Sequence, residues 1–287
     1  MVAGQIGANA GAMFSLTLHR VLTGGTDRYV DVPSAPDIAA TRAADLLALL
    51  KPALAGPADV VVVGDVTVDQ AVSAMAGTFA AGAALPARAE PDRTALVMGQ
   101  GPEPVIATHT GRADQAYYGE YWAQPDYFTD PKASYVAKVA VAVLQSRLID
   151  TVREKLGITY TPQTDAVASV QLPGVGYIGA VLETPPANFA TFHTLLQGEL
   201  KDLAAHPITP DALDRARRPL IEGRTKDMEG NAFWATWLPV VLRDPRVRQS
   251  VLETKAGYAG VSAADIQALF ARIAAAPAPV VVEARAK

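Results

Sequence analysis

One arginine and one tyrosine stand close together in the segment Val152–Pro162, VREKLGITYTP. Arg153 falls in the last turn of a predicted helix, and Tyr160 lies on a predicted strand just beyond Gly157. A chain reversal at Gly157 brings the guanidinium and the phenol to one edge of a sheet, where each can donate hydrogen bonds to a peptide carbonyl or an oxyanion. The structural alternative is that Arg153 caps helix carbonyls and Tyr160 is an ordinary half-buried strand residue. The spacing alone leaves both interpretations open.

The elements that must position this pair alternate between strands and helices. Pro131 occupies the first turn of a long predicted helix that reaches about Lys155, and Gly157 is its natural C-cap. Strands are predicted at Asp59–Val63, Val105–Thr110, Gln115–Ala123, Ile158–Val170, Gly176–Glu183 and Pro279–Glu283. We expect the second and third strands to form an antiparallel hairpin, and the fourth and fifth to pair around Pro173 and Gly174.

Further helices are predicted from apolar periodicity and capping residues. They lie at Asp37–Leu50, Val66–Ala80, Ala187–Ala205, Asp211–Met228 and Phe233–Leu242, with a last one capped by Ser262 and ending near Ile273. This order of elements predicts an α+β fold with one mainly antiparallel sheet and helices packed on one face.

Composition excludes several classes of function. The 287 residues are 50% hydrophobic and 19% charged, which is typical of a folded globular protein. A net charge of -4 without a basic stripe argues against nucleic acid or anionic membrane as a partner. The absence of cysteine excludes disulfides, a thiolate nucleophile and a Cys-based zinc site. No basic leader precedes the first apolar residues, so we expect a cytoplasmic protein, or a periplasmic one if the chain is cut from a longer bacterial precursor.

Several segments together resemble the M16 family of zinc metallopeptidases, which includes pitrilysin, insulinase and the mitochondrial processing peptidase. Arg153 to Tyr160 (REKLGITY) resembles the family's Arg/Tyr signature in a carboxy-terminal domain. Pro57–Val66 (PADVVVVGDV) resembles the first strand of an M16 domain, and Lys226–Leu238 (KDMEGNAFWATWL) a later helical stretch. The resemblance predicts an M16-type domain that does not bind zinc at 57–287. Residues 1–56 are then a lead-in with one helix, left from a linker or a preceding domain.

The resemblance implies a fold and a division of labour. The fold is the M16-type α/β roll (LuxS/metallohydrolase-like), and two or four such domains form a clam shell. Zinc is bound by an HxxEH motif in a different domain or subunit, so the implied partners are that domain, in a homodimer or heterodimer, and a peptide substrate. Tyr160 would steady the oxyanion and Arg153 would grip a substrate carbonyl, while this chain alone would be inactive. The alternative is a non-catalytic docking module, like the M16-related core subunits of respiratory complexes.

The histidines of this chain do not form a zinc motif. No HxxEH is present, and no two histidines stand one helical turn apart with a glutamate between them. The four are His19, His109, His193 and His206. We therefore expect no metal or other cofactor in this chain, and solvated or structural histidines.

The other chemical candidates each have a structural interpretation. Gly174, Gly176 and Gly179 match GxGxxG, but a strand follows them instead of the helix that a pyrophosphate needs, which favours hairpin geometry. Asp65 is either a ligand carboxylate or part of a turn and N-cap. Six aromatic residues either line a peptide groove or fill the core: Tyr117, Tyr118, Tyr121, Trp122, Tyr127 and Phe128. We expect Trp234 and Trp237 to pack two helices together.

Overall fold

The computed structural model of the protein describes residues 6–25, 35–78, 93–99, 101, 103–157 and 160–287. The strands are β1 (Val105–His109), β2 (Tyr117–Ala123), β3 (Gln163–Ala168), β4 (Gly176–Glu183) and β5 (Val280–Ala286). The helices are α1 (Ala10–Leu22), α2 (Ala35–Ala40), α3 (Ala43–Leu54), α4 (Val68–Ala76), α5 (Pro131–Leu156), α6 (Phe189–Ala205), α7 (Pro210–Glu229), α8 (Asn231–Arg243), α9 (Val247–Ala259) and α10 (Ala263–Ala275). Within these described ranges, no helix combines the length and apolar character needed to cross a membrane.

The five strands form one sheet in the order β1-β5-β2-β4-β3, in which only the β1–β5 pair is parallel. The predicted pairing of β3 with β4 is confirmed. The predicted hairpin between β1 and β2 is wrong, because β5 lies between them and pairs Tyr117 with Ala284 and Tyr121 with Val280. Val280, Val282 and Ala284 are buried on one face, and Glu283 is buried on the other. A run buried on both faces belongs in the interior of a sheet, where both of its edges find hydrogen-bond partners.

Helices α5, α6 and α10 cover one face of the sheet, as predicted. Helix α5 begins at Pro131, after Asp130 accepts a hydrogen bond from the N–H of Ala133 at 2.9 Å. It ends where Gly157 takes a φ of 93°, a conformation that favours glycine. Its Leu144 and Leu148 are fully buried. Each such leucine stabilises the fold by about 1.5–3 kcal/mol through the removal of apolar surface from water.

The second face of the sheet is covered differently. Helix α1 packs against β5 and β1 there, and its Phe14, Val21 and Leu22 form a smaller apolar cluster with Val282 and Ala284. Helix α1 lies within the predicted lead-in 1–56, whose described part also contains α2 and α3. The division of the chain after residue 56 stays a prediction.

The chain divides into two compact units, of which the first holds the sheet and comprises Met1–Val32, Thr94–Glu222 and Glu253–Lys287. The second comprises Pro33–Arg93 and Gly223–Leu252. Within it, the strand predicted at Asp59–Val63 is wrong: the backbone there forms no ladder, and a strand needs a neighbour to pair its N–H and C=O groups.

Two aromatic residues of α8 behave as expected in the second unit. Trp237 lies 5.5 Å from the guanidinium carbon of Arg224 on α7, and the indole N–H of Trp234 donates to the carbonyl of Met228 at 2.8 Å. Both residues therefore connect consecutive helices.

Candidate functional site

A groove of about 1000 Å³ runs along the second face of the sheet, beside helix α1. We call it the tyrosine groove and define it by six of its lining side chains: Tyr117, Tyr121, Tyr160, Asp165, Tyr177 and Glu183. Phe14 and Leu18 of α1 form one wall. The groove therefore combines an apolar wall, phenol hydroxyls and carboxylates.

The period of two along β2 decides which aromatic residues face the groove. Tyr117 and Tyr121 lie on the groove face, whereas Tyr118 and Trp122 lie on the helix-covered face and belong to the main core. Tyr127, just beyond the strand, is buried, and its hydroxyl lies 2.9 Å from that of Tyr135. The aromatic set is therefore divided between the groove face and the core, and peptide binding in the groove stays a prediction.

Glycines make room for Tyr121. In the register of β2 and β4, Tyr121 is paired with Gly179, and a Cβ added at Gly179 would lie 2.3 Å from the Tyr121 ring. A Cβ added at Gly119 would approach the same ring to 2.9 Å. The ring also meets Tyr177 edge-on, with centroids 5.8 Å apart. Two glycines of the GxGxxG match therefore have structural roles in the sheet. Gly179 leaves space for an aromatic ring, and Gly174 takes a φ of 78° in the β3–β4 turn.

Three tyrosines of the groove, Tyr117, Tyr121 and Tyr177, keep their protons across the physiological range. Burial, then the hydrogen bond to Glu183 at 2.6 Å, raises the pKa of Tyr117 to about 12. Burial, then the charge of Asp165, raises the pKa of Tyr177 to about 12. Burial likewise raises the pKa of Tyr121 above its usual range. The groove therefore presents protonated phenols, of which Tyr117 donates to Glu183 and Tyr177 to Asp165, together with carboxylate oxygens that can accept further N–H donors.

The Arg/Tyr pair occupies the junction between α5 and β3. Arg153 is exposed in the last turn of α5, and Tyr160 is half-buried, packs against the main core and lines the tyrosine groove. Residues 158 and 159, where the predicted strand begins, lie outside the described residues. Tyr160 therefore lines the groove, whereas Arg153 is an exposed surface residue that does not line it.

A side chain of α5 holds the start of β3 in place, and the sequence offered no signal for it. The amide of Gln145 donates to the carbonyl of Pro162 at 2.6 Å and accepts from the N–H of Thr164 at 2.7 Å. The Thr164 hydroxyl donates to the carbonyl of Val141 at 2.8 Å. These bonds fix the backbone directly after Tyr160 against α5.

Three of the histidines each have a different hydrogen-bond partner. His193 lies 2.7 Å from the buried carboxylate of Glu120, and His206 lies 2.8 Å from Asp202. His109 is buried, and its Nδ1 accepts from the N–H of Gly111 at 3.1 Å. In the part of the chain that the structure describes, no group of three His, Cys, Asp or Glu residues could hold a metal ion. These residues do not fit a catalytic zinc site.

Asp65 lies in a bend ahead of helix α4, as the turn interpretation predicted, but the predicted N-cap role is wrong. Helix α4 is capped by Thr67, whose hydroxyl accepts from the N–H of Gln70 at 3.2 Å while the Gln70 side chain accepts from the N–H of Thr67 at 2.9 Å. The N-cap therefore lies two residues beyond Asp65, because a Thr with Gln three residues later forms a reciprocal capping box.

Solved structures share this architecture. A conserved protein from Enterococcus faecalis V583 superimposes on all of this chain and 66% of its own with a TM-score of 0.76 at 17% identity. A peptidase M16 inactive domain from Pseudomonas fluorescens superimposes on all of this chain and 70% of its own, with a TM-score of 0.68 at 20% identity. At these identities the similarity defines the class of fold: the M16-type α/β roll, with its mainly antiparallel sheet.

Sequence similarity then places the chain in a family. Residues 56–220, more than half of the chain, match the model of the peptidase M16 inactive domain. The protein belongs to the peptidase M16 family. The stromal processing peptidase of Arabidopsis thaliana chloroplasts is 30% identical over 96 residues, which are 33% of this chain and 8% of that protein. The matched segment thus spans less than a tenth of that curated relative.

Proposed function

We propose that this chain is a substrate-binding domain of an M16-type zinc metallopeptidase and holds an extended peptide in the tyrosine groove. One observation carries the proposal: Tyr160, the tyrosine of the REKLGITY segment, lines a groove of about 1000 Å³ on the sheet face opposite α5, α6 and α10. The groove offers the phenols of Tyr121 and Tyr160 as donors and the carboxylates of Asp165 and Glu183 as acceptors, which match both polar groups of a peptide backbone.

Each residue of the Arg/Tyr pair has a proposed role. The Tyr160 hydroxyl donates a hydrogen bond to the carbonyl oxygen that becomes an oxyanion during cleavage, and Arg153 binds a second carbonyl of the peptide. Gln145 supports the first role because it holds the backbone of Pro162 and Thr164, directly after Tyr160, against α5. In this proposal the substrate-binding domain comprises residues 57–287.

Catalysis requires a second component in this proposal. Since the described residues contain no metal-binding group, zinc and the general base come from an HxxEH-bearing M16 domain or subunit, as a homodimer or heterodimer. The Pseudomonas and Enterococcus chains are longer than this one, which leaves room in them for a further domain.

The test combines this chain with the protein region that supplies HxxEH and follows cleavage of an unstructured peptide. Removing one oxyanion donor by Tyr160→Phe should lower kcat on the order of 100-fold or more. Arg153→Ala should lower kcat/KM as well. Lys155→Ala is the matched control for Arg153, because it removes a cation two residues away in the same exposed turn. Unchanged rates for both Arg153→Ala and Tyr160→Phe would remove their assigned roles.

A second candidate is a non-catalytic docking module, favoured by the match to a domain described as inactive. This candidate predicts that the chain binds the HxxEH component with the same affinity in wild-type, Arg153→Ala and Tyr160→Phe forms and binds no peptide. Measurement of peptide binding to the chain alone separates the two candidates.

A further inference from the structure

We propose that Tyr121 is a further substrate-binding residue, whose hydroxyl donates a hydrogen bond to a backbone carbonyl of the peptide in the tyrosine groove. The inference rests on the proposed function and adds to it a specific donor atom on the groove floor. Tyr121 comes from the middle of β2, far in sequence from the REKLGITY segment.

The hydroxyl of Tyr121 is unusual among the tyrosines of β2. Tyr121 is 4% exposed, yet its hydroxyl makes no hydrogen bond to the rest of the described chain. On the same strand, Tyr117 donates to Glu183 at 2.6 Å and Tyr118 donates to Glu120 at 3.1 Å. A buried tyrosine normally finds a partner for its hydroxyl, because desolvating the group without one is costly.

The hydroxyl of Tyr121 lies at the groove end of the ring, near Gly119, where an added Cβ would come within 3.0 Å of it, and the charge of Asp165 in the groove acts on it. Although the residue is mostly buried, its hydroxyl oxygen is not fully enclosed by protein. Tyr121 also lines the tyrosine groove. A molecule in the groove can therefore reach it. Because burial raises the pKa of Tyr121 above its usual range, the group carries its proton and acts as a donor.

The ring is held rigidly by its surroundings. It lies across Gly179, where a Cβ would approach to 2.3 Å, and Tyr177 meets it edge-on at 5.8 Å between centroids. Phe14 of α1 packs in the same apolar cluster. A donor that is already fixed in place loses little conformational entropy when it binds, which favours a useful contact with a ligand.

The chemistry of the groove selects the acceptor. Asp165 and Glu183 also line it; Lys138 pairs with Asp165 at 2.7 Å, but an anionic acceptor would still meet the carboxylate of Glu183. A neutral backbone carbonyl is free of this repulsion, and an extended peptide presents one at every residue. The ligand of Tyr121 is therefore a peptide carbonyl.

The experiment measures binding of a fluorescein-labelled β-casein peptide to the full chain by fluorescence anisotropy. Tyr121→Phe removes one hydroxyl and no ring, so it should weaken binding about two- to tenfold, the effect of one neutral hydrogen bond. Tyr118→Phe is the matched control on the opposite face of the same strand, and it should leave the affinity unchanged. Circular dichroism and thermal melting of both variants check that the fold persists.

A second arm identifies the acceptor. Peptides in which one amide at a time is replaced by an ester carry a weaker carbonyl acceptor at that position. One such ester should weaken binding to the wild type while leaving the affinity of Tyr121→Phe unchanged.

Equal binding by the wild type and Tyr121→Phe would overturn the inference and leave the proposed function intact. Absence of binding by the wild type would instead overturn the proposed function, and the inference with it.

Discussion

The pairing of Gly179 with Tyr121 offers a sharp test of how the groove floor is built. In the Gly179→Ala variant, the new methyl group would lie 2.3 Å from both Cδ1 and Cε1 of Tyr121, whereas ordinary contact begins at 3.4 Å. The ring must therefore move by about 1 Å, against Phe14 and Tyr177, because interiors are close-packed.

The expected loss of stability follows from two opposing effects. Forcing an extra methyl group into a packed site costs about 1–3 kcal/mol. Replacing glycine by alanine in a strand returns about 0.5–1 kcal/mol, because it reduces the freedom of the unfolded chain. The net of these two effects is a loss of about 0–2.5 kcal/mol, and the 2.3 Å approach to two ring carbons places Gly179→Ala in the upper half of that range.

Urea unfolding, followed by circular dichroism, measures this loss in a double-mutant cycle with Tyr121→Ala. Without the ring there is no clash, so Gly179→Ala should be neutral or stabilising in the Tyr121→Ala background. Gly198→Ala is the control, since Gly198 is an exposed residue of α6 with nothing within 4 Å of the added Cβ, and it should be stabilising. An equal loss from Gly179→Ala in both backgrounds would refute the reasoning.

Two further predictions concern stability outside the groove. Burial raises the pKa of Asp126, but N–H donors from Gly174 at 2.7 Å and Thr129 at 2.8 Å outweigh it and hold the pKa below the ordinary 3.8. The stabilisation from the lowered pKa of Asp126 is complete above pH 3.8 and is lost as the pH falls through the folded-state pKa. Asp126→Ala should therefore have a lower free energy of unfolding at neutral pH. In acid titrations, its stability should depend less on pH below about 4. Ser262→Ala, which removes the capping box of α10, should cost about 1 kcal/mol in thermal unfolding, and an unchanged melting temperature would contradict it.

Parts of this fold could be predicted from residues that are close together in the sequence. Helix α5 was predicted from Pro131 to about Lys155 and ends at Leu156, because a proline in the first turn, an apolar stripe and a glycine cap all act within a few residues. Ser262 was predicted to cap α10 for the same reason. The pairing of β3 with β4 needed only a short turn between them.

Contacts between residues distant in sequence decided the rest. The adjacent β1 and β2 looked like a hairpin, but the strand with two buried faces, β5, enters between them from the other end of the chain. Which strands become neighbours depends on burial over the whole sheet, and a local sequence pattern carries no information about that burial.

The site divides in the same way. The sequence by itself determined that Arg153 and Tyr160 stand at a helix-to-strand junction and that the chain carries no HxxEH motif. Only the tertiary structure decided that Tyr160 lines a groove and that the ring of Tyr121 lies against Gly179 with a hydroxyl that no described residue bonds. The physical reason is that strand alternation assigns each tyrosine to one of two faces, and only the packing of helices against the sheet determines which face is open.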